Sequence, residues 1–332
     1  MIGYYAHHLG EGHVACATAI APHLGSPLTV LSSRPRPAGW DGDWIELARD
    51  NAGNGSVVDP TAGGTVHWAP LHHPGLCGRM AAVADWIDQV RPRLMVVDVS
   101  VEVTMLARLM GIPVVIMSLA GDRSDAAHQL AYRAATVVLA PWPDWARPVV
   151  GAEVPLRPVG AISRYAGRSA PVRTPGRRVL VLMGRGGSAL TAEQLDAART
   201  ATPGWEWRAL GPPVGDWVAD PWPALVEADV VVCHAGLNVI AEVAAAQVPA
   251  VVIPQARPHD EQRATAAVLA EAGLAVVCPE WPAADAWPAL LTAARQRGGA
   301  GWARWCDGMG PQRAAAQLDA VAGVPEPACV AA

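Results

Sequence analysis

Two glycine-rich turns carry side chains that could bind a phosphorylated ligand and move a proton. They span residues 8–13 (His-Leu-Gly-Glu-Gly-His) and residues 184–189 (Gly-Arg-Gly-Gly-Ser-Ala), and a helical run follows each. Glycine lets the backbone approach a ligand closely, and the free N–H groups at a helix start favour phosphate oxygens. The candidate ligands in these turns are Gly12, Gly186, Gly187 and Ser188. His13 could act as a general base, because an imidazole has a pKa of about 6.5.

A longer polar segment, residues 233–262, combines a third turn with further hydrogen-bonding side chains. The candidate phosphate contacts in its turn are His234, Ala235, Gly236, Leu237 and Asn238. Glu242, on the following helical run, could accept hydrogen bonds from both hydroxyls of a ribose, and Glu261 and Gln262 could bind sugar hydroxyls. The alternative is structural, with residues 234–238 as a helix-capping turn and Glu242 on a solvated helix face.

The first two turns also fit the dinucleotide-binding pattern GxGxxA. That pattern requires an acidic residue at the end of the next strand for a ribose, or an arginine for a 2′-phosphate. Arg34 supplies the arginine after the first turn, whereas residues 209–211 (Ala-Leu-Gly) supply neither group after the second. Because His13 would crowd a pyrophosphate, an NADP-dependent oxidoreductase is the weaker alternative.

The elements that must position these turns are strands and helices in alternation. Short apolar runs, each followed by an Ala/Leu/Arg-rich stretch, occupy residues 28–31, 94–97, 114–117, 137–139, 179–183, 230–232 and 251–253. Such runs are typical of parallel strands that are covered on both faces, so the sequence predicts an α/β fold. We expect an N-terminal domain over 1–160, a Gly/Pro/Arg-rich linker over 161–176, a second domain over 177–310, and a helix and tail over 311–332.

The composition excludes several classes of protein. With 332 residues, 52% of them apolar and 17% charged, the chain is globular and long enough for two domains. All 25 basic residues are arginine, so no Schiff-base or P-loop lysine exists. A net charge of −5 makes nucleic acid an unexpected partner. Six dispersed cysteines, no signal peptide and no spanning apolar run predict a cytoplasmic protein, and membrane association is not indicated.

The third turn and its surroundings carry a resemblance to a known family. The residues concerned are His234, Gly236, Asn238, Glu242, Pro249, Pro254, Glu261 and Gln262. In this spacing they resemble the donor-binding signature of nucleotide-sugar-dependent glycosyltransferases of the GT-B fold. The resemblance extends to the UDP-glycosyltransferases and to the family of the enzyme that adds N-acetylglucosamine to make lipid II. It implies two Rossmann-like domains whose parallel sheets face each other across a cleft.

The resemblance also implies roles for individual residues of the donor site. His234, Gly236 and Asn238 would contact phosphate, Glu242 the ribose, and Glu261 with Gln262 the donor sugar. The nucleotide base would lie against the backbone of a preceding loop, which here contains Trp217 and Val218. Val239 departs from the family pattern, since many members have a small hydroxyl residue there. The donor implied is a UDP-sugar, and neither a metal nor another cofactor is required.

The same families imply the catalytic groups. His13 would be the general base, and Asp98, at the end of the run 94–97, would orient it and stabilise the imidazolium. Direct displacement with inversion would follow. The structural alternatives are that Asp98 caps the next helix, and that His7 and His8 are core or turn residues on the first strand. A nucleotide-sugar epimerase or hydrolase and a non-catalytic nucleotide-sugar-binding protein are alternative functions on the same fold.

The acceptor site is the least defined part of the sequence. Residues 35–78 are irregular and rich in Gly, Asp, Pro, Trp and His, which is typical of a loop that is either functional or loosely ordered. The candidate acceptor contacts there are His67, Trp68, His72 and His73. We expect no metal site, because these histidines lack metal-ligand spacing and the pair Asp41 and Asp43 belongs to a solvated loop. A small natural product, a lipid and a cell-wall precursor are all open as acceptors, and the oligomeric state is not predicted.

Overall fold

A computed structural model describes residues 1–9, 11–51, 57–151, 154–169, 176–184 and 187–323. Two parallel sheets form its framework, one of seven strands and one of five. In each sheet the first strand of the chain lies in the interior, and the chain crosses to both sides of it, as in doubly wound folds. The two parallel α/β halves confirm the predicted fold class.

The seven-stranded sheet belongs to the first half of the chain. Its strands are β1 (Ile2–Ala6), β2 (Leu28–Ser32), β3 (Asp43–Glu46), β4 (Leu94–Asp98), β5 (Val114–Met117), β6 (Val137–Ala140) and β7 (Leu156–Pro158), in the order β3-β2-β1-β4-β5-β6-β7. The helices of this half are α1 (Gly12–Ile20), α2 (Pro74–Val90), α3 (Val101–Leu109) and α4 (Ala126–Ala134). Every residue of β1, β2 and β4 is buried, as expected of strands covered on both faces.

The five-stranded sheet belongs to the second half. Its strands are β8 (Arg178–Leu182), β9 (Glu206–Leu210), β10 (Val230–Cys233), β11 (Ala250–Val252) and β12 (Val276–Val277), in the order β12-β11-β10-β8-β9. The helices are α5 (Ala192–Ala201), α6 (Trp222–Glu227), α7 (Leu237–Ala245), α8 (Glu261–Glu271), α9 (Trp287–Arg297) and α10 (Gly310–Val321). Helix α10 returns to the first half, where Ala314 and Leu318 share a core with β1 and α1.

The seven predicted runs match seven of the twelve strands, and β1 and β9 are the strands expected before the first turn and after the second. Three strands at sheet edges have no predicted counterpart. These are β3, β7 and β12, each of which has a single neighbouring strand. An edge strand is not covered on both faces, so it carries no continuous apolar run. The prediction of an irregular segment over 35–78 is therefore wrong for β3. The placement of His7 and His8 on the first strand is also wrong, because β1 ends at Ala6.

No helix within the described ranges is both long enough and apolar enough to cross a membrane. The predicted cytoplasmic location stays a prediction. The cysteines of the described ranges are free thiols, which agrees with the reduced state expected from their spacing.

Candidate active site

His13 and Asp98 meet at the carboxyl edge of the first sheet. Because β1 pairs with β4, the residues that follow these strands are neighbours, and the first turn of α1 carries His13 to that edge. Nδ1 of His13 lies 2.8 Å from Oδ1 of Asp98. Tyr4 donates its hydroxyl to the other carboxylate oxygen at 2.9 Å. The carboxylate, which is only 3% exposed, is thus held by two partners.

The charges around this pair favour a protonated imidazole. Burial lowers the pKa of His13, but the attraction of Asp98, their hydrogen bond and the charge of Glu261 outweigh it and raise the pKa above its usual value. Since the carboxylate faces Nδ1, the neutral ring carries its proton there and leaves Nε2 as the basic nitrogen. The pair can therefore accept a proton at Nε2 and stabilise the imidazolium that results.

Asp98 does not cap the next helix. Ser100 is the N-cap of α3, and its side chain accepts a hydrogen bond from the backbone N–H of Val103 at 3.2 Å. Between Asp98 and this cap, Val99 has a φ of 67°, in the left-handed region that a β-branched residue avoids. Such a conformation costs about 1–3 kcal/mol and persists where the surroundings impose it. The capping alternative for Asp98 is therefore wrong.

Two further histidines lie beside His13. The rings of His7 and His8 are stacked 4.6 Å apart, and His7 meets His13 edge to face at 6.0 Å. Burial, followed by the proximity of His13 and His8, lowers the pKa of His7 to about 3. Burial also lowers the pKa of His8, against the attraction of Asp50. His7 and His8 are thus neutral near pH 7, and His13 differs from both because of its carboxylate.

The third turn places His234 in a defined tautomer. Its Nδ1 lies 2.8 Å from the carbonyl oxygen of Ile253, so this nitrogen carries the proton. Its Nε2 lies 3.1 Å from Oγ of Ser188 and accepts from that hydroxyl. Burial lowers the pKa of His234, against the effect of the bond to Ile253, and keeps the ring neutral. This contact joins the predicted phosphate residues of the second turn to those of the third.

Helix α7 begins at this turn without a side-chain cap. Its N-cap is Gly236, which makes no side-chain cap hydrogen bond, and no acidic residue lies in its first turn. These amides and the positive end of the helix dipole are available to an anion. Asn238 adds a side-chain amide in the same turn.

The first and third turns touch across the cleft. A Cβ atom placed on Gly12 would overlap Nδ2 of Asn238, and α1 packs against α7. A side chain at position 12 would thus force Asn238 to move. This contact places the first turn of α1, which carries His13, next to the first turn of α7.

The side chain of Gln262 is hydrogen-bonded to the backbone of the third turn. Its side-chain oxygen accepts from the backbone N–H groups of Ala235 at 3.2 Å and Gln255 at 2.9 Å, and the side chain is buried. Only its amide nitrogen is therefore left for the predicted sugar contact. Glu261 is more exposed and accepts from Arg123 at 3.4 Å.

Glu242 is buried and already paired. Its Oε1 accepts from Nε of Arg164 at 2.8 Å, and Arg164 also donates to the carbonyl oxygen of Ala219. The solvated-face alternative for Glu242 is therefore wrong. Burial raises the pKa of Glu242, and Arg164 opposes this rise. Arg164, from the segment between the two sheets, thus lies beside the residue predicted to contact the ribose.

The remaining donor candidates lie nearby or outside the described ranges. The loop after β9 carries Trp217, which is 45% exposed, and the half-buried Val218. Gly187 has a φ of 88°, which glycine accommodates. Gly186 lies outside the described residues.

The four acceptor candidates are only partly grouped, since the rings of Trp68 and His73 meet edge to face at 6.2 Å while the ring of His67 contacts other residues. His67 and Trp68 both donate their backbone N–H to Oε1 of Glu102 at 2.8 Å. His73 is instead the N-cap of α2, and His72 is exposed in a left-handed conformation with a φ of 58°. The ring of His67 approaches His128 and His259, with centroids 4.3 and 5.8 Å apart.

Several residues of the site have no signal in the sequence. They are Tyr4, Asp125, His128, Arg164 and His259. Tyr4 reads as an ordinary strand residue, and Asp125, His128 and Arg164 are far from the motifs in sequence. His259 lies two residues before Glu261, but the motif gives it no role. Arg34, on which the NADP alternative depends, forms an ion pair with Glu11.

Comparison with known proteins supports the interpretation of this geometry. Residues 220–284 match the model of the glycosyltransferase family 28 C-terminal domain. A relative from Bordetella petrii, UDP-N-acetylglucosamine–N-acetylmuramyl-(pentapeptide) pyrophosphoryl-undecaprenol N-acetylglucosamine transferase, is 28% identical over 321 residues, which cover 83% of this chain and 84% of the relative.

Solved structures share the fold over nearly the whole chain. MurG from Acinetobacter baumannii has a TM-score of 0.65 at 19% identity and covers 96% of this chain and 99% of its own. The glycosyltransferase SnogD from Streptomyces nogalater has a TM-score of 0.66 at 18% identity and covers 97% of this chain and 99% of its own. The chain thus has the GT-B fold and is a glycosyltransferase that takes its sugar from a nucleotide-sugar donor and resembles the MurG family.

Proposed function

We propose that the chain transfers a sugar, with inversion, from a UDP-sugar to a hydroxyl of a lipid-linked cell-wall precursor. The observation that carries this proposal is the 2.8 Å contact between His13 and Asp98, next to the point where the two halves touch. A base in this position can serve an acceptor held by the first half while the second half holds the donor.

In the proposed reaction, Nε2 of His13 removes the proton of the acceptor hydroxyl as its oxygen attacks the anomeric carbon. The bond from that carbon to the phosphate oxygen breaks, and the nucleoside diphosphate leaves with the electron pair. Attack on the opposite face inverts the anomeric configuration. Asp98 stabilises the imidazolium, and a positioned base of this kind contributes about 10²–10⁴-fold to the rate.

The second half supplies the charge stabilisation for the leaving group. The uncapped amides of α7 and the side chain of Asn238 are the proposed donors to the diphosphate, and Ser188 is proposed to lie beside it. His234 holds Ser188 through its neutral Nε2. In this scheme the transfer step requires no metal.

The nucleoside is proposed to bind between Glu242 and the loop after β9. Glu242 keeps a second carboxylate oxygen beyond the one that accepts from Arg164, and this oxygen can accept from a ribose hydroxyl. The backbone of Trp217 and Val218 is proposed to hold the uracil, and Glu261 with the amide nitrogen of Gln262 to hold the sugar.

Two observations support a lipid-linked acceptor. The relative from Bordetella petrii acts, by its name, on a pyrophosphoryl-undecaprenol. In the loop before α2, the apolar side chains of Val58 and Leu71 are 57% and 54% exposed, and Leu71 N–H bonds to the carbonyl oxygen of Val58. Adjacent exposed apolar groups favour an apolar ligand there. His67, Trp68, His72 and His73 in the same loop are proposed to border the acceptor.

The test is a transfer assay with UDP-N-acetylglucosamine and the muramyl-pentapeptide pyrophosphoryl polyprenol as probes. We expect a disaccharide product whose new linkage has the β configuration by proton NMR, produced by the wild type and by His23→Ala. His13→Ala is expected to abolish transfer. Release of free sugar without an acceptor would instead support the hydrolase alternative, and a retained α configuration would overturn the inverting mechanism.

A further inference from the structure

Four side chains from three separate segments converge where the two halves meet. They are His67 from the loop before α2, Asp125 and His128 at the start of α4, and His259 from the turn before α8. One potential ligand atom of each lies within 4.8 Å of the other three. We refer to these four residues as the histidine cluster.

Asp125 is the centre of the histidine cluster. Its Oδ1 lies 3.1 Å from Nε2 of His67, and its Oδ2 lies 2.5 Å from Nδ1 of His128 and 3.8 Å from Nδ1 of His259. Three imidazole nitrogens thus face one carboxylate. The ring centroids of His128 lie 4.3 Å from those of His67 and 4.7 Å from those of His259, so the nitrogens already surround a small common volume.

His259 is the ligand that the second half contributes, and backbone contacts hold it in position. His259 has a φ of 61°, and its carbonyl oxygen accepts from the N–H of Asp122 at 2.9 Å. A Cβ atom on Gly121 would overlap the same carbonyl oxygen, so this approach requires a glycine. The imidazole of His259 is therefore presented to α4 by two backbone segments in direct contact.

We propose that the histidine cluster binds one divalent transition-metal cation of the Zn²⁺ type through three imidazole nitrogens and one carboxylate oxygen. Three nitrogens and one oxygen form a tetrahedral donor set of the kind that Zn²⁺ takes in proteins. Ligand distances of about 2.0–2.2 Å put neighbouring ligand atoms about 3.4 Å apart. The 2.5 and 3.1 Å contacts of Asp125 therefore have to lengthen, and the wider separations of up to 4.8 Å have to close around the ion.

The protons of the cluster can rearrange without leaving it. A metal at Nδ1 of His128 moves the ring proton to Nε2. The 3.4 Å contact from Arg123 to that nitrogen then opens, and Arg123 keeps its bonds to the carbonyl oxygen of Ala120 and to Glu261. An open cavity of about 390 Å³, which Asp125 and His259 help to line, provides an access path for the ion.

This site departs from the expectation of no metal, which considered the histidines of the loop before α2 and the pair Asp41 and Asp43. None of its four ligands is assigned to the donor or to the base, and of the four only His67 is also proposed to border the acceptor, so the test below leaves His67 unchanged. Its ligands come from both halves, so a bound cation would join the turn before α8 to α4. Metal binding and sugar transfer can therefore succeed or fail separately.

The test is titration of the full, tag-free chain with Zn²⁺ after treatment with a chelating resin. We expect one saturable equivalent by calorimetry, and with Co²⁺ the visible absorption of a tetrahedral nitrogen and oxygen site. His259→Ala is expected to weaken binding at least about 100-fold, the upper end of the loss when only a supporting residue is removed. His23→Ala, an exposed histidine outside the cluster, should bind as the wild type does.

His259→Gln serves as a second variant, and circular dichroism of both variants establishes that they fold. His259 is 31% exposed, so its replacement does not open the core. Equal Zn²⁺ binding by the folded His259 variants and His23→Ala would overturn the proposal. The absence of a saturable equivalent would do so too, as would Co²⁺–thiolate charge-transfer bands, which would place the metal on a cysteine.

Discussion

Arg164 Nε donates to Oε1 of Glu242 at 2.8 Å, within the site proposed for the ribose. The carboxylate is only 8% exposed, and without the arginine it would be an isolated buried charge. The segment between the two sheets therefore takes part in the donor site. Its role is to keep Glu242 ionised, because burial raises the pKa of Glu242 and Arg164 opposes the rise.

Arg164→Ala should make UDP binding depend on pH. Loss of the cation raises the pKa of Glu242 further, so the neutral acid gains population as pH falls through that pKa and the carboxylate is lost as an acceptor. We expect affinity within about threefold of the wild type at pH 8 and at least about tenfold weaker at pH 5.5. Calorimetry at both pH values measures this. Arg199→Ala, on an exposed helix face, is the control, and parallel pH dependences in both variants would contradict the role of Arg164.

Asp98→Asn should change the rate and its pH profile together. Asp98 raises the pKa of His13, so the wild-type kcat/KM should fall with decreasing pH below a value above 6.5. Without the carboxylate, burial dominates and lowers that pKa, so the acid limb moves to lower pH while the plateau falls about 10³- to 10⁴-fold. The measurement is kcat/KM for transfer between pH 5 and 9. An acid limb at the same pH in Asp98→Asn would show that the limb does not report the titration of His13.

The pair of His13 and Asp98 should also make the free energy of unfolding depend on pH. Its contribution to stability decreases as pH rises, whereas its contribution to catalysis increases. Because the folded-state pKa of His13 is raised, its contribution to stability is fully present below the unfolded value of about 6.5 and is lost as pH rises through the folded value. We expect the difference in free energy of unfolding between the wild type and His13→Gln to shrink from pH 6 to pH 9. Denaturant unfolding at these two pH values checks it, with His23→Gln as the control. A difference that grows with pH would contradict the assignment.

Tyr4→Phe should weaken the support of Asp98 without removing the base. The substitution leaves one buried carboxylate oxygen without its 2.9 Å donor, which costs about 1–3 kcal/mol of stability. We expect a lower Tm and a kcat reduced about tenfold, with KM for the donor nearly unchanged. Thermal unfolding and steady-state kinetics measure both. A large rise in donor KM would show that Tyr4 acts elsewhere.

Gly12→Ala should disturb the contact between the halves through Asn238. The added methyl overlaps Nδ2 of Asn238, so we expect transfer to slow and UDP affinity to fall in the wild-type background. In an Asn238→Ala background the overlap is gone, and the same substitution should have a smaller effect. A double-mutant cycle on UDP affinity measures the coupling. Additive effects would contradict the contact.

The sequence contains most of the donor site and little of the rest, for a physical reason. The donor site is built largely from one short segment, residues 233–242, which contains a turn, the start of the next helix and Glu242. Because these residues are close in the chain, their spacing alone predicts how they are arranged. The partnership of His13 and Asp98 follows once β1 and β4 are neighbours, but Tyr4 is hidden because its side chain looks like that of any strand residue. The contact between Arg164 and Glu242 could not be predicted from the sequence, because it forms only when the two halves pack together.

The histidine cluster could not be predicted from the sequence either. His67, Asp125, His128 and His259 are joined only in the folded molecule, so the spacing that identifies local metal sites is absent. Edge strands such as β3 are also hidden, since a strand with one neighbour and an exposed face needs no continuous apolar run.

The most direct test of the donor site is a calorimetric titration with UDP of the wild type, Glu242→Ala and Glu271→Ala. Glu271 is an exposed residue of α8 and serves as the matched control. Loss of a charged acceptor for the ribose costs about 1.5–3 kcal/mol, so we predict one UDP per chain for the wild type, the same for Glu271→Ala, and affinity about 10- to 100-fold lower for Glu242→Ala. Equal affinity in all three proteins, or no binding of UDP by the wild type, would contradict the account.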